Sequence, residues 1–446
     1  MKSCLEVNKE LKTAFVISIL FSILFYFYEI SWGLMDDYKW IVRTEEFVAS
    51  PLNSYIEFQK YMVGKGTLQP FIHLQYIIQY IPGIYISPII TFIQNIFILF
   101  FSHYLLFKVM SKKLSINYYY SLMIFLIFPY TFDMFLLPSL QEKFSIPLFA
   151  YLVHRLHIAE DLKNNNLLTI FLISFIIPLV KLQGSVFVLF IFFYYLFHRS
   201  SASLSSILGF AFSISIQAYL IFFTDSGYYI VDTSSKEIIR NILSFQNLLF
   251  LLIIMLSILI SFFDKNIENK YYIYGYSFSS LAIVFILINW EQYGYLYAFY
   301  AFFLCILVPY CIGRISNMID RKSVTYSLSI SLIVLTFTSS FMFFLPRIER
   351  WSDLNSVYDT LESNIFNSSV YYCASEGVLT FNNLLKENKN TVKLAGNFID
   401  ITESNFVIIK DDLQCDYLTD NIQSECILTK EFPSTFNRSQ INEYSC

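Results

Sequence analysis

Charge is scarce in this chain: only 14% of its 446 residues are Asp, Glu, Lys or Arg, whereas an average soluble domain has about 25%. Glycine and proline are also few, at 12 and 11 residues, which excludes a disordered or linker-rich protein. The net charge of −4 provides no basic surface for a nucleic-acid backbone. These absences exclude a soluble globular protein and a nucleic-acid-binding protein.

Motifs for nucleotide and zinc chemistry are missing as well. The chain has no phosphate-binding glycine loop, so a nucleotide-driven pump is disfavoured. Residues 346–446 contain no histidine and no close cysteine pair, which disfavours a zinc site there. The function must therefore be inferred from the polar residues that an apolar chain retains.

Apolar residues dominate the composition: 56% of the chain is hydrophobic, with 48 Phe and 34 Tyr, and part of this surface must face lipid. A helical membrane span needs about 20 apolar residues. Runs between charged breaks predict a polytopic α-helical membrane protein with about eleven transmembrane helices, at 13–32, 84–106, 118–137, 144–157, 167–179, 186–196, 206–223, 248–263, 274–288, 296–312 and 324–345.

The distribution of basic residues predicts the orientation. With a cytoplasmic N-terminus, the inner connections carry 14 Lys and Arg and the outer ones 8, as expected because positive charge is retained on the cytoplasmic side. We therefore predict a transmembrane domain at 1–345 with a large outer loop at 33–83. We also predict a small extracytoplasmic α/β domain at 346–446, with strands at 369–373, 391–394 and 406–409 and a helix at 377–385.

The outer tail holds four of the seven cysteines, which are Cys373, Cys415, Cys426 and Cys446. Outside the cytoplasm these cysteines can form disulfides, but their spacing leaves the connectivity open.

The strongest candidate for chemistry is the pair Asp36 and Asp37, which follows the first span. Adjacent carboxylates at a membrane surface suit a general base for a substrate hydroxyl or a divalent cation such as Mg²⁺ or Mn²⁺. A solvated helix cap is the structural alternative.

Other polar clusters lie in outer connections, at 65–70, 138–143, 180–185 and 290–295. Singly, these residues suit snorkelling anchors, local ion pairs or solvated loops. Jointly, acids, amides and lysines on one face predict a pocket at the membrane surface. Such a pocket, with Tyr and Trp rings, suits a carbohydrate.

These features resemble the GT-C class of integral-membrane glycosyltransferases, and within it the bacterial O-antigen-modifying, serotype-converting glucosyltransferases. The resemblance covers about 1–196 and the topology. Its basis is Asp36-Asp37, the Lys65-Gly66-Thr67-Leu68-Gln69-Pro70 turn in place of a Gly-Arg-x-x-Pro-like element, Gln141-Glu142, and Lys181 with Gln183. The order and cation at Lys65-Gly66 depart from the Gly-Arg pattern.

The resemblance implies transfer of a sugar from a polyprenyl-phosphate donor to a lipid-linked or cell-surface glycan, on the periplasmic face of the bacterial inner membrane. Asp37 or Asp36 would be the base. Cations would bind the leaving phosphate, with candidates Lys181, Lys143, Arg347 and Arg350. Sugar or acceptor contacts would come from Lys65, Gln69, Gln141, Glu142, Gln183, Trp290, Glu291 and Tyr293.

Three alternatives remain open at this stage. An O-antigen polymerase works on similar lipid-linked glycans, although the mid-chain loop at 224–246 is short for that class. A glycan flippase or transporter would be expected to have inverted repeats, and none is visible. A non-catalytic scaffold with a partner-binding tail is the third.

Overall fold

The computed structural model describes most of residues 1–345 and short segments of residues 346–446. The described residues are 2–28, 37–136, 142–162, 166–224, 245–289, 298–319, 322–339, 341–342, 345, 356–357, 359, 370–372, 392–394, 407–411, 426–432 and 441–445.

Helices make up most of the described chain. Their bounds are α1 Lys2–Phe27, α2 Asp37–Ala49, α3 Pro51–Gly64, α4 Ile72–Gln75, a π-helix Tyr76–Tyr80, α5 Ile81–Tyr85, α6 Pro88–Leu114, α7 Tyr118–Ile127, α8 Pro129–Leu136, α9 Glu142–Leu162, α10 Leu167–Val180, a 3₁₀ turn Leu182–Val186, α11 Phe187–His198, α12 Ser201–Phe223, α13 Phe245–Phe262, α14 Ile267–Asn289, α15 Ala298–Ile319 and α16 Lys322–Ser339.

Each predicted apolar run overlaps a helix; the second run includes the end of α5 and most of α6, and the third run covers α7 and α8. The third run is divided because α7 ends before Pro129, whose ring requires an extended residue before it. Three helical segments, Lys9–Phe27, Pro88–Leu114 and Ser201–Phe223, are long and apolar enough to cross a membrane. Five shorter apolar helices accompany them, so the chain has the architecture of a helical membrane protein.

Helices α10 and α12 pack so closely that a glycine is required between them. A Cβ on Gly209 would lie 2.4 Å from the backbone oxygen of Phe171 and 2.9 Å from Cβ of Ser174. Backbone atoms cannot yield as a flexible side chain can, so any larger residue must push the helices apart.

Gly209→Ala is therefore expected to destabilise the protein by about 1–3 kcal/mol, measured as a lower unfolding midpoint of the purified protein in detergent. Gly313→Ala on α15 is the matched control, because among the described residues no atom outside its own stretch of helix lies within 4 Å of a Cβ at Gly313. Equal midpoints for the two variants would contradict the close packing of α10 and α12.

The described C-terminal strands form one mixed sheet in the order β2-β1-β3-β5-β4. Their bounds are β1 Val370–Tyr372, β2 Val392–Leu394, β3 Val407–Asp411, β4 Ile427–Phe432 and β5 Ile441–Ser445. The three predicted strands are present, whereas β4 and β5 were not predicted. The predicted helix at 377–385 lies outside the described residues. Cys426 is disulfide-bonded, a pairing that the sequence left open for the four tail cysteines.

Candidate functional site

The structure describes about half of the predicted site residues. Lys65, Gln69, Lys143, Lys181 and Gln183 are described with their side chains. Asp37 is the first residue of α2 and Glu142 the first of α9, but the side chains of both lie outside the description. The remaining predicted site residues fall wholly outside it, and they are Asp36, Gln141, Trp290, Glu291, Tyr293, Arg347 and Arg350.

The predicted outer loop is mostly helical. Helices α2 and α3 form a hairpin joined at Ser50, and α3 ends where Gly66 adopts a φ of 73°. This left-handed conformation is favourable for glycine and ends a helix. The turn at 65–70 is thereby confirmed.

The segment 72–80 is amphipathic, but its polar side is buried and its apolar side is exposed. Its polar side chains His73, Gln75 and Gln79 are buried, whereas Leu74, Ile77 and Ile78 are exposed. The polar side of this segment therefore faces the protein, and its aliphatic side forms an exposed apolar surface.

A cavity of about 190 Å³ opens in the α2–α3 hairpin. Its lining combines two carboxylates, a guanidinium, a hydroxyl and aromatic rings, contributed by Arg43, Glu46, Ser54, Glu57, Phe58, Tyr61 and Tyr76. The Arg43 guanidinium lies over the rings of Phe58 and Tyr61, at 4.8 and 5.4 Å from their centroids. Lys65 Nζ lies 5.9 Å from the Tyr61 ring, which places a predicted site residue beside the cavity.

An aromatic cage behind the cavity encloses His73. Its imidazole lies 4.8 Å from the Tyr55 ring and 4.9 Å from the Tyr76 ring, measured between centroids. Burial, together with the nearby Arg43 charge, lowers the pKa of His73 to about 4. Burial also raises the pKa of Tyr76. Both groups are therefore neutral at physiological pH, and Tyr76 retains a phenolic hydroxyl beside the cavity.

The lowered pKa of His73 predicts a pH dependence for the hairpin. The unfolded histidine binds a proton near its ordinary pKa of 6.5, but the folded one does so only near 4. Between these values the unfolded state holds more protons, so stability falls as the pH falls, by at most about 1.4 kcal/mol per pH unit. Limited proteolysis of residues 37–85 is expected to be faster at pH 5 than at pH 7.

His73→Phe should remove this acceleration, because a phenyl ring fits the cage and does not titrate. Tyr55→Phe, which leaves the histidine in place, should retain it. If proteolysis of the His73→Phe protein still accelerated at pH 5, the pH dependence would not come from His73.

One buried amide joins two of the predicted clusters. Gln217 on α12 accepts a hydrogen bond from the Leu68 backbone N–H at 3.0 Å and donates to the Leu68 carbonyl at 2.8 Å. The same Nε2 lies 3.5 Å from the carbonyl oxygen of Pro178, on the last turn of α10. The turn at 65–70 is thus fixed beside the chain that leads into Lys181.

The joined turns contain buried polar oxygens without a hydrogen-bond partner among the described residues. These are the side-chain oxygens of Thr67, Gln183 and Ser185. An unsatisfied buried polar atom costs about 1–3 kcal/mol, and such atoms are retained where a water or a polar ligand completes them. Both turns therefore provide acceptors for hydroxyl groups.

A second chain of amides extends from the π-helix to the third predicted cluster. The side chain of Gln79 donates to Asn95 on α6, and Asn95 donates to the carbonyl of Phe135 at 3.2 Å. Phe135 lies near the end of α8, shortly before the polar cluster at 138–143. The Thr91 hydroxyl donates to the Gln79 carbonyl at 2.9 Å, which further ties the π-helix to α6.

The position of Lys143 corrects one prediction. Lys143 was placed in the connection between the third and fourth spans, but it lies in the first turn of α9 and is fully buried. Six residues further along α9, or about 9 Å, Phe149 stacks on Phe187, with centroids 4.0 Å apart. Phe187 directly follows the 3₁₀ turn, so Lys143 and the turn at 182–186 belong to the same end of the helix bundle.

Three side chains therefore link the described parts of the outer clusters. Gln217 joins the 65–70 turn to the end of α10, Asn95 joins the outer loop to the end of α8, and Phe149 joins α9 to the residue after the 182–186 turn. Sequence reasoning missed the cavity residues and these bridging side chains. The helical spacing of Arg43 with Glu46, and of Ser54 with Glu57 and Tyr61, was the available signal for the cavity. No such signal marks Gln217, a single amide in an apolar run, or Asn95, which follows Gln94 in another apolar run.

Comparison with known proteins gives no match to this chain among family models, curated proteins or solved structures.

Proposed function

We propose that this chain is a membrane glycosyltransferase that moves a sugar from a polyprenyl-phosphate donor to a cell-surface glycan at the outer face of the bacterial inner membrane. The observation that carries the proposal is the cavity of the α2–α3 hairpin, where carboxylates, a guanidinium and aromatic rings line one space. Carboxylates accept hydrogen bonds from sugar hydroxyls, and rings pack on sugar C–H faces.

The location of the cavity suits a lipid-linked substrate. The hairpin continues into the segment 72–80, whose exposed aliphatic side chains would face lipid in this proposal. A polyprenyl chain in the bilayer would bring its phosphate and sugar to this level. The unsatisfied oxygens of Gln183 and Ser185 would accept hydrogen bonds from the sugar.

The reaction assigns separate roles to acids and cations. A carboxylate takes the proton of the acceptor hydroxyl as its oxygen bonds to the anomeric carbon, and the bond from that carbon to the donor phosphate breaks. Asp37 is the proposed base. Lys181 and Lys143 are the proposed partners of the departing polyprenyl phosphate, whose negative charge grows in the transition state.

The direct test is transfer of labelled sugar from polyprenyl-phosphate hexoses to a glycan acceptor, using membranes that contain the protein. Glu57→Gln is expected to raise the KM for a sugar substrate about tenfold, since a charge-assisted hydrogen bond contributes about 1.5–3 kcal/mol. Glu45→Gln on α2, outside the cavity, is the control. Absence of transfer from every donor would contradict the proposal.

The cell-surface glycan of a deletion strain separates this function from polymerisation. A modifying transferase leaves chain length intact and removes one sugar, whereas loss of long chains would favour a repeat-unit polymerase.

A further inference from the structure

The helix ends opposite the cavity carry a second group of charges. Helix α6 begins at Pro88, next to the outer loop, and its 27 residues reach Lys108, Lys112 and Lys113 at the far end. Such a helix is about 40 Å long, which is more than the hydrocarbon thickness of a bilayer. These lysines therefore lie on the other face of the membrane, where α9 contributes His154 and Arg155.

Some cations on this face are neutralised within the protein. Lys113 forms an ion pair with Glu268 at 2.7 Å, and Arg314 forms one with Asp264 at 2.6 Å. Asp264 also accepts hydrogen bonds from Tyr310 and Asn269. These two pairs tie α6 to α14 and α15 to the loop before α14.

Three other cations, Lys108, Lys112 and Arg155, form no ion pair among the described residues. Lys108 and Lys112 lie about one turn apart on α6, which packs against α9, the helix that carries Arg155, and all three cations act electrostatically on His154. Arg155 Nε is buried and has no hydrogen-bond partner in the described chain. Lys108 and Arg155 are half-buried, which holds their charges near each other at the junction of the packed helices α6 and α9.

We propose that Lys108, Lys112 and Arg155 bind the phosphate of an anionic phospholipid headgroup at the membrane face opposite the sugar cavity. A phosphate oxygen supplies the acceptor that Arg155 Nε lacks, and its charge offsets the mutual repulsion of the three cations. Basic pockets between helices at the cytoplasmic side commonly bind anionic headgroups. The acyl chains would lie along the apolar faces of α6 and α9, which a soluble phosphate cannot use.

The experiment measures the unfolding midpoint of the full-length protein in nonionic detergent during titration with phosphatidylglycerol. Phosphatidylglycerol is expected to raise the midpoint, whereas phosphatidylcholine and inorganic phosphate are not. In a Lys108→Gln, Lys112→Gln, Arg155→Gln triple variant, the concentration needed for half of the shift should rise at least tenfold.

Two variants make the result specific. Lys265→Gln with Lys270→Gln removes one cation from the α13–α14 connection and one from the first turn of α14, and should leave the titration unchanged. Lys108→Arg with Lys112→Arg preserves charge and should retain the shift. Equal titrations of the wild-type protein and the triple variant would overturn the proposal, and so would an equal response to phosphatidylcholine. An equal response to inorganic phosphate would overturn the lipid assignment. This outcome is independent of sugar transfer.

Discussion

Asp37→Asn is expected to lower sugar transfer by about 10²–10⁴-fold, the usual contribution of a general base. The amide has nearly the shape of the carboxylate but cannot accept the proton of the attacking hydroxyl. Membrane insertion and protein abundance should not change, because Asp37 is only the first residue of α2 and an asparagine suits a helix start. Single-turnover transfer from a labelled polyprenyl-phosphate hexose measures the effect.

Glu57→Gln separates the base from the sugar-binding carboxylates. In that variant KM should change more than kcat, whereas Asp37→Asn should change kcat. Full activity of the Asp37→Asn protein would refute its role as base. If kcat fell more in Glu57→Gln than in Asp37→Asn, the general base would instead be the Glu57 carboxylate of the cavity.

Gln217→Leu is expected to give the second large effect. The variant keeps the side-chain bulk but leaves the Leu68 N–H and C=O without their partner. Each buried group left unsatisfied costs about 1–3 kcal/mol. The unfolding midpoint should therefore fall, and transfer should fall about tenfold or more, because small misplacements of substrate-binding groups are costly.

Ser213→Ala is the matched control for this prediction. Ser213 is buried one turn earlier on α12, and its hydroxyl has no hydrogen-bond partner among the described residues. Its removal leaves no polar group without a partner, so it should lower neither stability nor transfer. If Gln217→Leu matched Ser213→Ala in unfolding midpoint and in sugar transfer, the bridge between the 65–70 turn and α10 would contribute to neither.

The helices could be predicted from sequence because lipid imposes a simple requirement. Every backbone polar group in the bilayer must bond within its own helix, so an apolar run such as 206–223 leaves few alternatives to α12. The turn at 65–70 was equally predictable, since Gly66 tolerates the left-handed backbone conformation that ends α3.

The hairpin cavity and the bridges could not be predicted in the same way. Composition marked 33–83 as a polar outer loop, but only the packing of α2 on α3 brings Glu46 and Glu57 into one cavity. Segment 72–80 is amphipathic, and the direction of its polar side depends on tertiary contacts such as Gln79 to Asn95. Strands β4 and β5 were missed because polar and charged residues, such as the adjacent Lys430 and Glu431, interrupt their apolar pattern.

The convergence of distant outer segments is tested most directly by photo-cross-linking. With Leu68 replaced by p-benzoylphenylalanine, irradiation of intact membranes followed by peptide mapping should identify cross-links to residues 177–185, because Leu68 and Pro178 contact the same amide of Gln217. The same photoreactive residue at Leu52, which is exposed at the start of α3, should give none. Cross-links from position 68 confined to residues 37–85 would contradict the account.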